Sequence, residues 1–283
     1  KIMKKLIFSI LLLASTLLQA SDIYVKPGES IADAIRQARE LRRLNDPSIE
    51  GGITIHVAAG NYRIYEPLFL RPEDSGTPSS PTIIKGEGEV IVSGGVTVTG
   101  WKRQGKLMVA DVPDFCGRPL DFRQFYVNGK KAVRARDVAD FEDMYRIIRV
   151  DKQKRVLWVP AAAVRKIQKA PYAEMVLHEM WCVANLRIKD IMFAGDSAAV
   201  SFHDPESRIQ FEHPWPCPMV TTDGHNSAFY LTNARELLDV PGEWYHDIRA
   251  GKLYYYPRQG ELIEEAVVPA VETLLRVEGT LDR

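Results

Sequence analysis

The sequence has no excess of charge of either sign, because 37 lysine and arginine residues balance 37 aspartate and glutamate residues. Nucleic acids and anionic membranes attract proteins through a surplus of basic residues. The composition therefore gives no reason to expect a nucleic acid or a membrane surface as a partner. A neutral ligand such as a sugar is compatible with this balance, although the balance does not by itself indicate one.

Several motifs that identify a catalytic class are also missing. The sequence contains no Gly-x-Ser-x-Gly elbow, no phosphate loop and no basic segment interleaved with aromatic residues. Its 6 histidines do not occur at His-x-x-Glu-His or similar spacing, so we expect no zinc site built by the protein. The acidic residues form no clustered run of the kind that binds calcium. The sequence predicts no cofactor.

Cysteine is scarce, with 3 residues at Cys116, Cys182 and Cys217. An odd number of cysteines cannot be fully paired, so at most one disulfide joins two of them. Their spacing contains no Cys-x-x-Cys pair that would indicate a metal or redox site. We expect buried and chemically inert thiols at most of these positions.

The apolar run near the N-terminus is too short for a comfortable membrane span. Lys4 and Lys5 precede the run from Leu6 to Leu18, and Ala20 suits a cleavage site. Residues 1–20 are therefore predicted to be a signal peptide. We expect an exported protein, periplasmic or extracellular, with no membrane span.

Residues 53–101 consist of short β-rich runs separated by Gly, Pro, Asn and Ser turns. The runs are Ile53 to Val57, Leu68 to Leu70, Thr82 to Lys85, Val90 to Ser93 and Val96 to Val98. Such short strands are marginal as isolated hairpins. We expect them to stack as rungs of a solenoid, in which each coil buries its apolar face against the next. An ordinary β-sandwich of short strands is the alternative.

A rung model also predicts which side chains point inward. They are Ile53, Ile55, Val57, Leu68, Leu70, Ile83, Ile91, Val96 and Val98. Before these rungs, apolar residues from Ile31 to Leu41 recur at helical spacing, and Ser30 precedes them as a typical N-cap. This amphipathic helix is predicted to end near Asn45 and to cover the open end of the first coil.

The rhythm changes after Trp101. Asn128-Gly129 is a strong signal for a hairpin within Phe122 to Asp137. A second hairpin is predicted from Gly242 to Asp247 and Lys252 to Tyr256, and helical spacing predicts a helical turn within Phe229 to Leu238. Short predicted strands between these features are typical of a sandwich or barrel.

Val267 to Val277 returns to the β-rich pattern seen before Trp101. A solenoid needs several coils and a terminal cap. We therefore expect the chain to be the N-terminal portion of a longer protein.

Seven segments carry a resemblance to a known family. They are PTIIKG at Pro81 to Gly86, VSGG at Val92 to Gly95, Gly100-Trp101, FRQFYVNGKKAVRAR at Phe122 to Arg136, HPWPCP at His213 to Pro218, NSAFYLTNARELLDVPGEWYHD at Asn226 to Asp247, and GKLYYYPRQGE at Gly251 to Glu261. Together they resemble secreted bacterial right-handed parallel β-helix proteins of the pectate-lyase-like superfamily, and within it glycoside hydrolase family 141.

The resemblance implies an all-β fold that forms the N-terminal part of a right-handed parallel β-helix, with a capping helix and an inserted β-sandwich-like domain. The signal peptide would be followed by the cap and first coil at 21–101. The inserted domain would span 102–262. The truncated return to the β-helix would occupy 263–283.

The resemblance further implies a glycoside hydrolase that acts on plant or host polysaccharides. Family members resemble exo-acting enzymes, including an α-fucosidase acting on pectin. Their catalytic carboxylates lie on the long β-helix, which would place them beyond Arg283. Two other classes stay open, because one fold hosts many functions. One is a polysaccharide lyase, which would use calcium, and the other is a non-catalytic carbohydrate-binding or adhesin module.

Four residues are candidates for contact with the substrate. Trp181, with His178 and Asn185 nearby, provides an aromatic face and polar groups of the kind that bind sugars, and Trp215 lies in a stiff Pro-rich loop. The alternative is that these tryptophans pack in the core.

The acidic residues around the second hairpin are weaker candidates for catalysis. Glycoside hydrolysis needs two carboxyl groups that flank the scissile bond. The residues concerned are Glu236, Asp239, Glu243 and Asp247. We expect them to be turn residues that accept hydrogen bonds from backbone amides.

Overall fold

The structure is a computed structural model that describes residues 20–280. The predicted signal peptide lies outside the described residues, apart from Ala20. Within the described part, no helix has the length and apolar character needed to cross a membrane. The described chain forms two compact units, one made of residues 20–95 and 270–280 and the other of residues 96–269.

The fold is mostly β, and the elements are numbered along the chain. The first strands are β1 (Ser21–Val25), β2 (Ile53–Arg63), β3 (Leu68–Leu70), β4 (Thr82–Ser93), β5 (Gly95–Thr97), β6 (Lys102–Gln104), β7 (Leu107–Asp111), β8 (Asp114–Phe115), β9 (Arg118–Pro119), β10 (Tyr126–Val127), β11 (Lys130–Lys131) and β12 (Val133–Arg134). The later strands are β13 (Tyr145–Arg146), β14 (Arg149–Asp151), β15 (Val156–Pro160), β16 (Glu174–His178), β17 (Val183–Ala194), β18 (Ser197–Phe202), β19 (Ala228–Thr232), β20 (Glu243–Asp247), β21 (Lys252–Tyr255), β22 (Ala266–Pro269) and β23 (Leu275–Val277). The α-helices are α1 (Ile31–Arg43), α2 (Ala161–Val164) and α3 (Glu206–Glu212). The 3₁₀ turns are Pro47–Ile49, Pro72–Asp74, Phe141–Asp143, Arg165–Ile167 and Arg235–Leu237.

Helix α1 confirms the amphipathic helix predicted from the sequence. Ser30 is its N-cap, and the Ser30 side chain accepts a hydrogen bond from the backbone N–H of Asp33. The buried face consists of Ile31, Ala34, Ile35 and Ala38, which pack in one core with Ile53, Ile55 and Val57 of β2. Burial of this stripe fixes the helix, since propensity alone rarely holds so short a helix in water.

The strands of the first unit pair in parallel. Strands β1, β2 and β4 lie side by side, with Ile23, Ile55 and Ile84 aligned across them. Strand β23 pairs in parallel with β3, aligning Leu275 with Leu68. Parallel pairing of strands far apart in sequence requires a long connection between them.

The prediction of inward-facing residues is right for β2 and wrong for Ile83 and Ile91. The register pairs Ile83 with Thr54 and Ile91 with Asn61, so neither lies beside a buried residue of β2, and both are exposed. Ile84 is aligned with the buried Ile55 but is still 41% exposed, because β4 is the edge strand of this sheet. A shift of one residue moves a whole strand's side chains to the opposite face. The register also changes near Gly60, after which Val92 packs against the core and Ile91 does not.

The second unit is built mainly from antiparallel sheets. A seven-stranded sheet has the order β13-β19-β16-β17-β18-β15-β14, and a five-stranded sheet has the order β12-β20-β21-β7-β6. A four-stranded sheet has the order β11-β10-β22-β5. One aromatic core holds Phe125, Trp244 and Tyr255, which are fully buried, with the Phe125 ring centroid 6.0 Å from Trp244 and 5.5 Å from Tyr255.

Both predicted hairpins are confirmed, and the predicted helical turn within Phe229 to Leu238 is largely wrong. Strands β20 and β21 form the second hairpin. Ala228–Thr232 is a buried strand that pairs with β16, and only Arg235–Leu237 turns as a 3₁₀ helix. Pairing on both sides of β19 outweighs the apparent helical spacing, as tertiary context commonly does.

The three cysteines are free thiols. Cys182 and Cys217 are half-buried and Cys116 is exposed, so the expectation of buried thiols at most of these positions is wrong. Cys116 lies in the tight turn between β8 and β9 with a positive φ of 51°, which places its side chain outside a core.

The turn of the first hairpin gives a stability prediction. Asn128 and Gly129 have φ of 51° and 71°, the left-handed region that Asn tolerates better than Ala. The Asn128 Nδ2 donates to the Leu262 carbonyl oxygen at 2.7 Å, and its Oδ1 accepts from the backbone N–H groups of Glu264 and Glu265, both at 3.0 Å. Asn128→Ala should lower the free energy of unfolding by about 1–3 kcal/mol in urea denaturation. Asn128→Asp keeps the acceptor oxygen and should lose less free energy of unfolding. Lys130→Ala, at an exposed position, is the control and should leave the stability unchanged. Equal stability of all three variants would contradict this role of the Asn128 side chain.

A pH prediction follows from His56 on the first unit. Its Nδ1 lies 2.8 Å from Glu87 Oε1 and its Nε2 lies 3.1 Å from Asp22 Oδ1. Hydrogen bonds to Glu87 and then to Asp22 raise the pKa of His56. A raised pKa means that the imidazolium contributes stability below the ordinary histidine pKa, and that this contribution is lost as pH rises through the folded-state pKa.

Melting temperatures should be measured from below the ordinary histidine pKa to above the raised pKa of His56. They should fall less steeply with pH in His56→Gln than in the parent chain. His225→Gln, at an exposed position, is the matched control and should follow the parent. Identical pH profiles for the parent and His56→Gln would refute this role for His56.

Candidate functional site

Trp181 lies at the tip of the hairpin formed by β16 and β17. The turn is closed by a main-chain hydrogen bond from Glu179 N–H to the Cys182 carbonyl oxygen at 2.9 Å. The Cys182 thiol also donates to Glu179 Oε2 at 2.9 Å. The turn is thus held by both main chain and side chains, and it leaves the Trp181 side chain 70% exposed.

Trp215 reaches the same place from the segment after α3. Its side chain is 53% exposed, and its ring centroid lies 4.7 Å from that of Trp181 with 57° between the ring planes. The structure therefore brings together two of the four predicted substrate-contacting residues. We call Trp181 and Trp215 the tryptophan pair.

The geometry of the tryptophan pair decides how it can contact a ligand. A centroid distance of 4.7 Å is a contact distance for aromatic rings, so no sugar ring fits between the two indoles. The two ring planes are inclined at 57°, so the rings do not form one flat surface. The pair can offer two adjoining aromatic surfaces, each large enough for the C–H face of a sugar.

His178 lies at the end of β16 and is half-buried. Its ring meets Phe141 edge-on at 5.5 Å and lies 6.1 Å from the ring of Tyr230. The Nε2 atom of His178 is buried and has no hydrogen-bond partner. The contacts of this ring are thus with aromatic neighbours, Phe141 in a 3₁₀ turn and Tyr230 on β19.

Asn185 belongs to an ion-pair network on one face of the seven-stranded sheet. Its Oδ1 accepts from Arg123 Nη2 at 3.2 Å. Arg123 also binds both carboxylate oxygens of Glu174, at 3.1 and 2.6 Å, and Arg134 Nη1 donates to Glu174 Oε2 at 2.9 Å. The structure places Asn185 beside these charges.

Glu174 is the centre of this network. Its side chain is 6% exposed and that of Arg134 is 12% exposed. Burial lowers the pKa of Arg134, against the opposing charge of Glu174. A buried carboxylate is tolerated when it is paired and hydrogen-bonded, and Glu174 meets both conditions.

Of the four acidic residues around the second hairpin, Glu243 and Asp247 accept hydrogen bonds from backbone amides, as predicted. Asp239 Oδ2 instead accepts from Lys166 Nζ at 2.7 Å. Glu243 Oε2 accepts from the backbone N–H groups of Asp239 and Val240, and Oε1 accepts from that of Arg136. Burial raises the pKa of Glu243. Asp247 Oδ1 accepts from the N–H of Ala250 at 3.0 Å.

No cluster of three or more His, Cys, Asp or Glu side chains within residues 20–280 is arranged to hold a metal ion. Calcium for a lyase, as considered from the resemblance, stays a prediction.

Sequence reasoning missed the residues that build the surroundings of the candidates. Glu179 and Cys182 hold the turn under Trp181, and Arg123, Arg134 and Glu174 hold the face beside Asn185. One signal was available. Glu174 opens the apolar run EMVLH, where an acidic residue indicates a buried charge that needs a partner.

Removal of the Glu174 carboxylate tests the network. Glu174→Gln leaves Arg134 buried without its counter-charge and should lower the free energy of unfolding by about 3–5 kcal/mol, measured by urea denaturation. Glu206→Gln breaks the more exposed pair with Arg187 and should cost about 1 kcal/mol or less. The double variant Arg134→Met with Glu174→Leu should recover most of the loss. Equal effects of the two glutamine variants would argue against a special role for Glu174.

Comparisons with known proteins agree with this architecture. Residues 105–258 match the model of the GH141 insertion domain. A solved structure named "Glycoside hydrolase" is 60% identical in sequence with a TM-score of 0.89, and the alignment covers 93% of this chain and 48% of that chain. The chain thus spans about half the length of that structure. Comparison with the curated proteins found no match. The chain belongs to the family defined by the GH141 insertion domain.

Proposed function

We propose that this chain is part of a secreted glycoside hydrolase that removes sugars from the ends of plant or host polysaccharides, in the manner of an α-fucosidase acting on pectin. The observation that carries the proposal is the similarity, at 60% identity over 93% of the chain, to a glycoside hydrolase. The activity is that of the whole protein, since the chain spans 48% of that relative. Export rests on the signal-peptide pattern in residues 1–20.

The proposal includes a right-handed parallel β-helix as the scaffold. Two features of the first unit support it. Strands β1, β2 and β4 stack in parallel with their apolar residues aligned, and β23 lies parallel to β3 although the whole second unit separates them in sequence. Stacking of remote strands in register is typical of solenoids.

Hydrolysis of a glycosidic bond needs an acid and either a base or a nucleophile, supplied by two carboxyl groups about 5–9.5 Å apart. The buried carboxylates of the described residues are Asp74, Glu174 and Glu243. Asp74 binds Arg39 at 2.7 and 2.8 Å, and the other two are held by the arginines and turn amides described above. In this proposal the catalytic carboxylates lie outside residues 20–280, and the structural partners of these three buried carboxylates support it.

The proposed role of the described residues is to bind the glycan. Trp181 and Trp215 are supported by their exposure and mutual contact. His178 and Asn185 stay predictions, because their contacts are with Phe141, Tyr230 and Arg123.

The test uses the full-length protein that contains residues 20–280. Incubation with pectin and with a synthetic α-L-fucoside should release free fucose, detected by anion-exchange chromatography. The rate should not change when a chelator is added, and no unsaturated product should accumulate. An ultraviolet-absorbing unsaturated product whose formation stops with chelator would establish a lyase instead. Glycan binding without turnover of any substrate would establish a binding module.

A further inference from the structure

We propose that the tryptophan pair is a subsite that holds two successive sugar units of an oligosaccharide, and that Glu179 and Cys182 are its positioning residues. This inference rests on the proposed function only in taking a glycan as the ligand. It assigns to the second unit a role in glycan recognition that is separate from bond cleavage.

Both rings of the tryptophan pair are unusually exposed. Trp244 is fully buried, and Trp101 and Trp158 are half-buried, whereas Trp181 and Trp215 are 70% and 53% exposed. Exposed tryptophans forgo a large hydrophobic stabilisation. Two of them in contact, with the exposed Met180 beside Trp181, form an apolar patch of the kind that marks a binding surface.

The segments that carry the two rings are constrained in the absence of a ligand. The Trp181 turn is closed by the hydrogen bonds between Glu179 and Cys182. Trp215 is flanked by Pro214 and Pro216, whose rings fix φ. Constraint of a binding surface in advance lowers the entropy that is lost on binding.

The two indole rings are not coplanar. With 57° between the ring planes, one flat sugar ring cannot stack on both indoles. A neighbouring sugar unit, turned relative to the first about the glycosidic bond, can cover the other. The geometry therefore favours an oligosaccharide over a monosaccharide, and it favours chain segments whose successive rings are not coplanar.

The hydrogen bond from the Cys182 thiol to Glu179 stabilises the turn that carries Trp181. Burial raises the pKa of the Glu179 carboxyl, and burial with the contact to Glu179 raises the pKa of the Cys182 thiol to about 11. A thiol with so high a pKa stays protonated at neutral pH and can keep donating to Glu179. This hydrogen bond therefore stabilises the turn. Glu179 and Cys182 affect glycan binding by positioning the Trp181 ring.

The test measures glycan binding by the chain with isothermal titration calorimetry. The probes are pectic oligosaccharides of defined length and, for comparison, free L-fucose and D-galacturonic acid. Trp181→Ala and Trp215→Ala should each weaken oligosaccharide binding by about tenfold or more. The monosaccharides should bind at least tenfold more weakly than the oligosaccharides, and their binding should depend on one ring only. Met192→Ala is the matched control, at an exposed methionine of β17 that is not part of the tryptophan pair, and should bind like the parent.

The positioning role has its own readout. Cys182→Ala removes the donor to Glu179 and should weaken oligosaccharide binding several-fold, whereas Cys182→Ser retains a donor and should restore it. A purely structural role would lower the melting temperature of both variants without this difference in binding. Circular dichroism melting of every variant provides the check that the fold is retained.

Three results would overturn the inference. The first is unchanged oligosaccharide binding in both tryptophan variants with the fold retained, and the second is no binding of any oligosaccharide by the parent chain. The third is a parent chain that light scattering shows to be a dimer while both tryptophan variants are monomers, since the pair would then join two copies. Failure of the proposed function is a separate result: a full-length protein without hydrolytic activity leaves ring-dependent binding intact, and active hydrolysis without ring-dependent binding defeats this inference alone.

Discussion

The buried ion pair between Glu174 and Arg134 is the constraint on which much of the second unit depends. Arg134 belongs to β12, which pairs with β20 of the five-stranded sheet, and Glu174 belongs to β16 of the seven-stranded sheet. The Arg134 guanidinium also lies 5.8 Å from the ring centre of the fully buried Trp244. One interaction thus connects two sheets and an aromatic core. Each charge would be costly to bury alone, so the pair favours the arrangement of the two sheets in which both charges are satisfied.

The features predictable from the sequence are those that depend on near neighbours. Ser30 caps α1 through an amide three residues away, and Asn128-Gly129 turns a hairpin whose strands adjoin it. Local geometry decides both. The burial of Ile53, Ile55 and Val57 was predictable for a related reason, since strict alternation leaves one choice of inner face.

The failures share a dependence on remote partners. The register with β2 pairs Ile83 with Thr54 and Ile84 with the buried Ile55, and no pattern within β4 contains that information. Residues 228–232 have spacing that suits a helix, yet they form a strand because β16 and β13 flank them. The same applies to the candidate site. Aromatic residues at 181 and 215 were visible in the sequence, whereas their contact depends on a helix and a hairpin that meet only in the folded unit.

The parallel pairing of β3 with β23 has a consequence for synthesis on the ribosome. Leu68 becomes available early, but its partner Leu275 is made only after the whole second unit has been translated. Within that unit, the N–H of Val98 bonds to the carbonyl oxygen of Ala266, so its two ends lie side by side once it has folded. Folding of the second unit brings its own two ends together, which shortens the effective loop between β3 and β23. The entropy lost when these two strands pair is then smaller. Nascent chains would therefore complete the first unit last, after the second unit has folded.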